Sequence, residues 1–331
     1  MSKKTTVLAG DIGGTHTRLI LAEYNANDRK ILCEEHYLSV DYTDLSKIIT
    51  DFLTKNKINT EINSACFAVA GPVKSGEASI TNLPWVINEN QLGREFNIAK
   101  VKLINDFIAV AYGIFELDKS DFMVLQNGEK SDNKDAAVVG AGTGLGAAHL
   151  VWQGDHYQAV SSEAGHAGFA PENQLQCELL TWMLQKHSHV SLEFLLSGKG
   201  LHRIYRFLHE VKHVAESPAI HEEMKKVGAA QLITGYALSE KDELCQQTLA
   251  IFIDIYAAAA GNIILHYYPL TTLYIGGGIA PKIKNKMQGQ RFIDAFTNKA
   301  AMTSNMEKIT VKLICQDKVG LYGALSLSRL Y

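Results

Sequence analysis

The chain lacks any paired arrangement of cysteine: its five, at positions 33, 66, 177, 245 and 315, are odd in number, scattered, and form no CxxC. That excludes a disulfide framework and a cysteine zinc site, and it predicts free thiols in a reducing compartment. An uncharged apolar run of the ~18 residues that a membrane span needs is also missing. The nearest stretch, Ile255 to Leu265, has Asp254 before it and Asn262 within it. Basic surplus is absent too: 32 Lys and Arg against 35 Asp and Glu give a net charge of −3, no footprint for nucleic acid or an anionic membrane. The opening MSKK leads into a strand-like run without the apolar core of a signal peptide, so a cytoplasmic location is expected. The 12 histidines include no HExxH, no GxxxxGK[ST] P-loop occurs, and no long linker or low-complexity segment interrupts the chain. What remains is an ordinary globular composition, 47% hydrophobic and 20% charged, at a length of 331 residues for which two domains are expected.

Strand-like and helix-like runs alternate throughout, which predicts α/β layering. Thr5–Ala9, Thr17–Tyr24 and Ile31–Tyr37 read as strands, followed by a helix from about Thr43 to Lys55 with Thr43 as its N-cap. Ser64–Ala70 and Val101–Ile104 read as further strands, the second opening onto a helix at Asn105-Asp106. Near residue 135 the pattern restarts with strand Ala136–Gly140, a glycine-rich tip, strand Leu145–Trp152 and strand Tyr157–Val160. The stretch from Leu175 to His266 is largely helical, and a further strand, Thr271–Ile275, runs into three glycines. Each half thus shows a strand, a glycine-rich turn and a strand folding back, a likeness of arrangement and not of sequence.

Three glycine clusters carry the chemistry. The first, Asp11-Ile-Gly13-Gly14-Thr15-His-Thr-Arg18, puts a carboxylate, a hydroxyl and a cation around a hairpin tip, where two glycines permit positive φ and a close backbone approach. Backbone amides and a hydroxyl suit phosphate oxygens, and a carboxylate suits hydrated magnesium. The second, Gly140 to Gly146, includes Gly142, Thr143 and Gly144 and contains a GxGxxA with Glu163 downstream. A Rossmann site would require a helix after the glycines, and AAHLVWQGDHYQAV reads as strand, turn and strand instead. The third, Ile275 to Pro281, includes Gly277 and Gly278 and suits the underside of a base or ribose. Each alone also reads as a plain turn.

Polar candidates complete the set. Asn105 and Asp106 close an apolar strand, where a carboxylate can serve as general base, although both are also favoured helix caps. Glu163, His166 and Glu193 offer acceptors and donors suited to a polyol such as a sugar. Glu193 also reads as a first-turn acid after an N-cap Ser191, His166 as a satisfied core histidine, and Asn82 as a turn residue.

In their order, DIGGTHTR, AGPV, TNLPW, INDF, GAGTGLG, EAGHAGF, HVSLEFLLSGKGL and IGGGIAP resemble the bacterial glucokinases that lack the zinc-binding cysteine motif, within the actin–hexokinase–Hsp70 superfamily. The resemblance runs from DIGGTHTR to the closing DKVGLYGAL. It implies an α/β fold of two ribonuclease-H-like domains with a cleft between them, divided as 1–110 plus 320–331 and 111–319. It further implies ATP and glucose as substrates, Mg2+ near Asp11 through water, and a homodimer. By the same resemblance Asp11, Gly13, Gly14, Thr15 and Arg18 form the first phosphate loop, Gly142, Thr143 and Gly144 the second, and Gly277 and Gly278 the adenosine segment. Asn82, Asn105, Glu163, His166 and Glu193 would hold the sugar, with Asp106 as catalytic base. One departure stands out: Ala164 occupies a position where the family usually has glycine, which would perturb the loop if the backbone there required φ > 0. A mannose or amino-sugar kinase, a sugar-responsive regulator, and an ATPase of the actin or chaperone kind are the alternative readings.

Overall fold

Six consecutive residues with no exposed side chain, Ser64–Val69, form a central strand, and Ala136–Ala141 forms its counterpart later in the chain. Runs of this kind, apolar on both faces, need cover above and below. The computed structural model describes residues 4–25, 28–80 and 83–330, and Asn82 lies outside them. The chain divides into two compact units, Met1–Asp118 with Asp317–Tyr331, and Lys119–Gln316.

The first unit holds strands β1 (Thr5–Ile12), β2 (His16–Asn25), β3 (Asp28–Leu38), β4 (Ser64–Val69), β5 (Val73–Lys74), β6 (Glu77–Ser79), β7 (Val86–Asn88) and β8 (Lys100–Asn105). Its main sheet has the order β3-β2-β1-β4-β8, with β5, β6 and β7 forming a small second sheet. β1, β2 and β3 pair antiparallel, whereas β4 and β8 join parallel. Helix Leu45–Lys55 covers one face, burying Leu45, Ile48, Ile49 and Phe52 against the sheet. On the other face, helices Asp106–Gly113 and Val319–Ser328 meet over Ala109, Leu321 and Ala324. Glycine is required where they touch: a Cβ on Gly113 would collide with the Val319 carbonyl, and one on Gly323 with that of Ala109.

The second unit holds β9 (Phe122–Gln126), β10 (Ala136–Ala141), β11 (Leu145–Trp152), β12 (Tyr157–Ser162), β13 (Thr272–Gly276) and β14 (Thr310–Ile314) in the order β12-β11-β10-β13-β14-β9. Its first five strands repeat the first unit's arrangement: an antiparallel triplet, then two parallel strands. β9 adds an antiparallel edge beyond β14. Helix Glu243–Tyr267 runs through the core, and 16 of its residues, from Leu244 to Ile264, are buried. By length and composition it is apolar enough to cross a membrane, yet 78% of its most apolar window is buried inside this unit.

One local expectation is corrected. The first helix is capped by Asp44 and not by Thr43: the Asp44 carboxylate accepts from the Lys47 amide at 3.0 Å, while the Thr43 hydroxyl donates to that same carboxylate. A charged acceptor outcompetes a hydroxyl for an unpaired amide of the first turn. In addition, Gly13 and Gly14 are not among the residues with positive φ. Gly13 is constrained by space instead, since a Cβ there would lie 3.0 Å from the His16 carbonyl oxygen.

Candidate active site

In the first unit, Asp11 sits next to the end of β1 and pairs in register with Arg18 across the hairpin. The tip closes with the Gly13 amide donating to the His16 carbonyl at 2.9 Å. Ser39 fastens it from behind: its hydroxyl donates to the Gly13 carbonyl at 2.8 Å, its amide donates to the Thr15 carbonyl at 2.9 Å, and its hydroxyl also meets that of buried Thr17. Thr15 is left exposed at the tip. The Arg18 guanidinium donates to the Asp317 carboxylate at 2.6 Å and to the Asp317 carbonyl at 3.0 Å. Arg18 therefore ties the hairpin to the segment entering the last helix.

Asp106 opens a helix at the C-terminal end of parallel strand β8, where α/β proteins present reactive groups. Asn105 is the N-cap, accepting from the Phe107 amide at 2.9 Å, and its own amide donates to the Gly71 carbonyl and to Asp106 Oδ1. The capping alternative for Asn105 thus describes what it does locally, and the same bond orients the Asp106 carboxyl. Burial, and then the nearby Asp11 charge, push the Asp106 carboxyl up to about 7, against lowering by hydrogen bonds from Phe107 and Asn105. Asp11 is raised as well, chiefly by burial. Burial and the Asp11 charge thus give Asp106 a raised proton affinity, a perturbation that occurs at functional sites as well as in structural pairs.

In the second unit the β10–β11 tip is closed by the Gly142 amide donating to the Gly144 carbonyl at 2.8 Å. The Gly142 carbonyl accepts from the Gly198 amide at the start of helix Gly198–Glu210, and Thr143 is exposed. Gly277 has φ of 80°, and a Cβ on it would run into the backbone of Ala141, so the third glycine cluster lies directly on the second. No helix follows the second cluster; β11 does, which removes the Rossmann alternative.

Glu163, His166 and Glu193 are brought together around Leu145. The Leu145 amide donates to Glu193 Oε2 at 3.1 Å, and Gly165 presses so closely on the Leu145 carbonyl that no Cβ fits. A bridge between Gly168 and Ser191 joins the segments that carry Glu163 and Glu193, and Ser191 caps the short helix in which Glu193 is a first-turn acid. Glu193 therefore fills its helix-start role and also turns its carboxylate to the hairpin. Glu163 and His166 are exposed, their side chains 3.8 Å apart, so His166 is not a core histidine. Ala164 has no positive φ. It opens a tight 3-10 turn, Ala164–His166, that accommodates a methyl group. The position that must be glycine is 165.

The sequence model of the glucokinase family matches residues 8–330. The glucokinase of Trichormus variabilis is 42% identical over 97% of this chain and 98% of its own length, and that of Nostoc punctiforme is 43% identical over the same shares. The chain belongs to the glucokinase family. As a glucokinase it is an enzyme, a kinase that phosphorylates glucose. The solved structure of a glucokinase from an Antarctic psychrotroph matches it with a TM-score of 0.82 at 33% identity, covering 98% of this chain and 99% of that one. A ROK family glucokinase from Streptomyces griseus shares the fold at a TM-score of 0.62 and 16% identity, covering 98% and 100%.

Several glucokinase residues escaped sequence reading. Ser39 lies some 25 residues from the turn it fastens, and Asp317 nearly 300 from Arg18. Neither carries a local signal. Gly165 stood beside the departure at 164, and Tyr256 lay hidden in an apolar helix.

Proposed function

We propose that this glucokinase transfers the γ-phosphoryl group of ATP to the 6-hydroxyl of D-glucose, with Asp106 as the general base. The observation that carries the reading is the Asp106 carboxyl, raised to about 7 at the end of β8 and oriented by Asn105. A base of that proton affinity takes the proton of an attacking hydroxyl near neutral pH without being titrated out of action. Phosphoryl transfer then depends mainly on positioning and charge, since there is little covalent work for the protein.

The glycine turns supply that positioning. Gly13, Gly14 and Thr15, and likewise Gly142, Thr143 and Gly144, would hold phosphates through amides and hydroxyls, with Gly277 and Gly278 beneath the adenosine. Arg18 contributes through the charge it shares with Asp317. Asn105, Glu163, His166 and Glu193 would hold glucose hydroxyls; Asn82, outside the described residues, is proposed on the resemblance alone. Each hydrogen bond left unmade by a wrong sugar costs about 1–3 kcal/mol, which is the source of selectivity.

The residues fit magnesium as a water-held ion. No group of three or more potential ligand side chains occurs among the described residues, so a protein cage is not formed. A half-buried Asp11 whose carboxyl is raised, its charge felt by Asp106, nonetheless favours a cation, and Mg2+ usually keeps several waters and takes one or two carboxylates plus phosphates. Bound there, it would neutralise phosphate charge.

The repeated order of an antiparallel triplet and two parallel strands supports two ribonuclease-H-like domains of the actin–hexokinase–Hsp70 type. The resemblance adds membership of the type without the zinc cysteine motif, a cytoplasmic location and a homodimer, the last testable by sedimentation. The assay for the activity offers Mg-ATP with glucose, mannose, fructose and N-acetylglucosamine and follows ADP and sugar phosphate together. Equal yields of ADP and glucose 6-phosphate are expected; ADP without sugar phosphate would return the chain to the ATPase reading.

A further inference from the structure

Tyr256 is fully buried in helix Glu243–Tyr267, and its hydroxyl lies under the point where two glycine clusters leave their sheet. β10 and β13 pair in parallel as far as Gly140 and Gly276, and beyond that register the ladder ends. There the Ala141 amide donates to the Tyr256 hydroxyl at 3.1 Å, and the hydroxyl faces the carbonyls of Val139 and Gly276, each at 3.4 Å. Ala141 is the node of both turns: its carbonyl accepts from the Ile279 amide at 3.1 Å, and Gly277 rests on its backbone. One hydroxyl thus serves a strand end from each cluster, in a place that water does not reach.

We propose that Tyr256 is a positioning residue for the nucleotide: its hydroxyl sets the spacing of the Gly142–Gly144 and Gly277–Gly278 turns. The inference rests on the reading that these turns hold ATP. Burial pushes the phenol pKa well up, so the group stays protonated and keeps both its donor and its acceptor capacity. Phenylalanine in its place would leave the Ala141 amide buried without an acceptor and the two turns free to shift. The hydroxyl itself touches none of the proposed glucose residues, and only Glu193, through the Leu145 amide, adjoins the turn it sets, so the effect should fall mainly on the nucleotide.

The test is Tyr256→Phe, assayed for both substrates and for AMPPNP binding by calorimetry. The KM for ATP and the Kd for AMPPNP should rise roughly tenfold, the size of effect one lost hydrogen bond of about 1.4 kcal/mol produces, while the glucose KM stays within about twofold. An unchanged nucleotide affinity would overturn the proposal, as would ATP and glucose KM values rising in step with a falling Tm, which a merely structural role gives. If the unsubstituted enzyme binds no AMPPNP, the ATP reading of the turns fails and this inference with it. Equal binding by enzyme and variant sinks only the inference. Should the variant not fold, residue-resolved hydrogen exchange on the unsubstituted enzyme decides. The Ala141 amide should exchange slowly, and AMPPNP should slow residues 142–144 and 277–279 together. Exchange at Ala141 as fast as at exposed Thr143 would mean that the hydroxyl bond does not hold the turn.

Discussion

The Asp11 carboxylate helps to hold a proton on Asp106: after burial, its charge is the largest influence raising the Asp106 carboxyl to about 7. This follows from the sheet, because β1 and β8 flank β4 as parallel neighbours and both carboxylates lie near the same ends of their strands. The relationship has direct consequences for pH dependence.

A base must be deprotonated to act, so kcat/KM for glucose should fall below pH of about 7, with a slope approaching one decade per pH unit on the acid side. Asp11→Asn removes the like charge and should move that inflection to lower pH. An inflection unmoved by the substitution would detach Asp11 from Asp106.

The same shift sets a stability cost. A carboxyl near 7 when folded and ~3.9 when unfolded is protonated only in the folded state between those values. Stability therefore falls as pH rises from about 4 to about 7, and the loss is complete above that. Asp106→Asn should stabilise the first unit by on the order of 1–3 kcal/mol at pH 8, with a Tm gain of roughly 2–4 °C per kcal/mol, and by less at pH 6. Calorimetry at the two pH values would read it, and equal gains at both would refute the linkage.

Glu193→Ala should raise the glucose KM by about tenfold or more while kcat changes far less, in keeping with a contact to hydroxyls that do not react. Glu193→Gln retains an oxygen to accept from the Leu145 amide and should fall between the two. An unaltered KM would reduce Glu193 to a first-turn acid.

Positions 164 and 165 should behave in opposite ways. Ala164→Gly is expected to leave the glucose KM within about twofold, because Ala164 has no positive φ to relieve. Gly165→Ala forces a methyl group into the Leu145 carbonyl and should cost about 2 kcal/mol or more in stability or an equivalent loss of glucose affinity. Thermal shift and glucose titration of the pair check this.

The parts legible in the sequence are those with local causes. β10 and β11 are marked by their apolar runs and the glycine tip between them, and Asn105 by its place before a helix. β5, with two residues, and β6 and β7, with three each, are too short to show a period, and helix Glu89–Glu95 is short and interrupted by Gly93. β9 carries a strand-like apolar run, and only its pairing with β14 shows where in the sheet it lies. At the site, residue types that carry charge or flexibility were readable, whereas the residues that hold them in place were not. Ser39 and Tyr256 act through tertiary hydrogen bonds whose partners are distant in sequence. Gly13 and Gly14 permit positive φ without using it, and at Gly13 the hairpin needs glycine for its close contact with the His16 carbonyl, a need that spacing cannot distinguish from left-handed backbone.

The most direct measurement is the steady-state rate of Asp106→Ala with Mg-ATP, paired with glucose binding to the same variant by calorimetry. The account predicts kcat lower by roughly 10²–10⁴ with glucose still bound. Near-normal kcat would contradict it and remove Asp106 from the role of base.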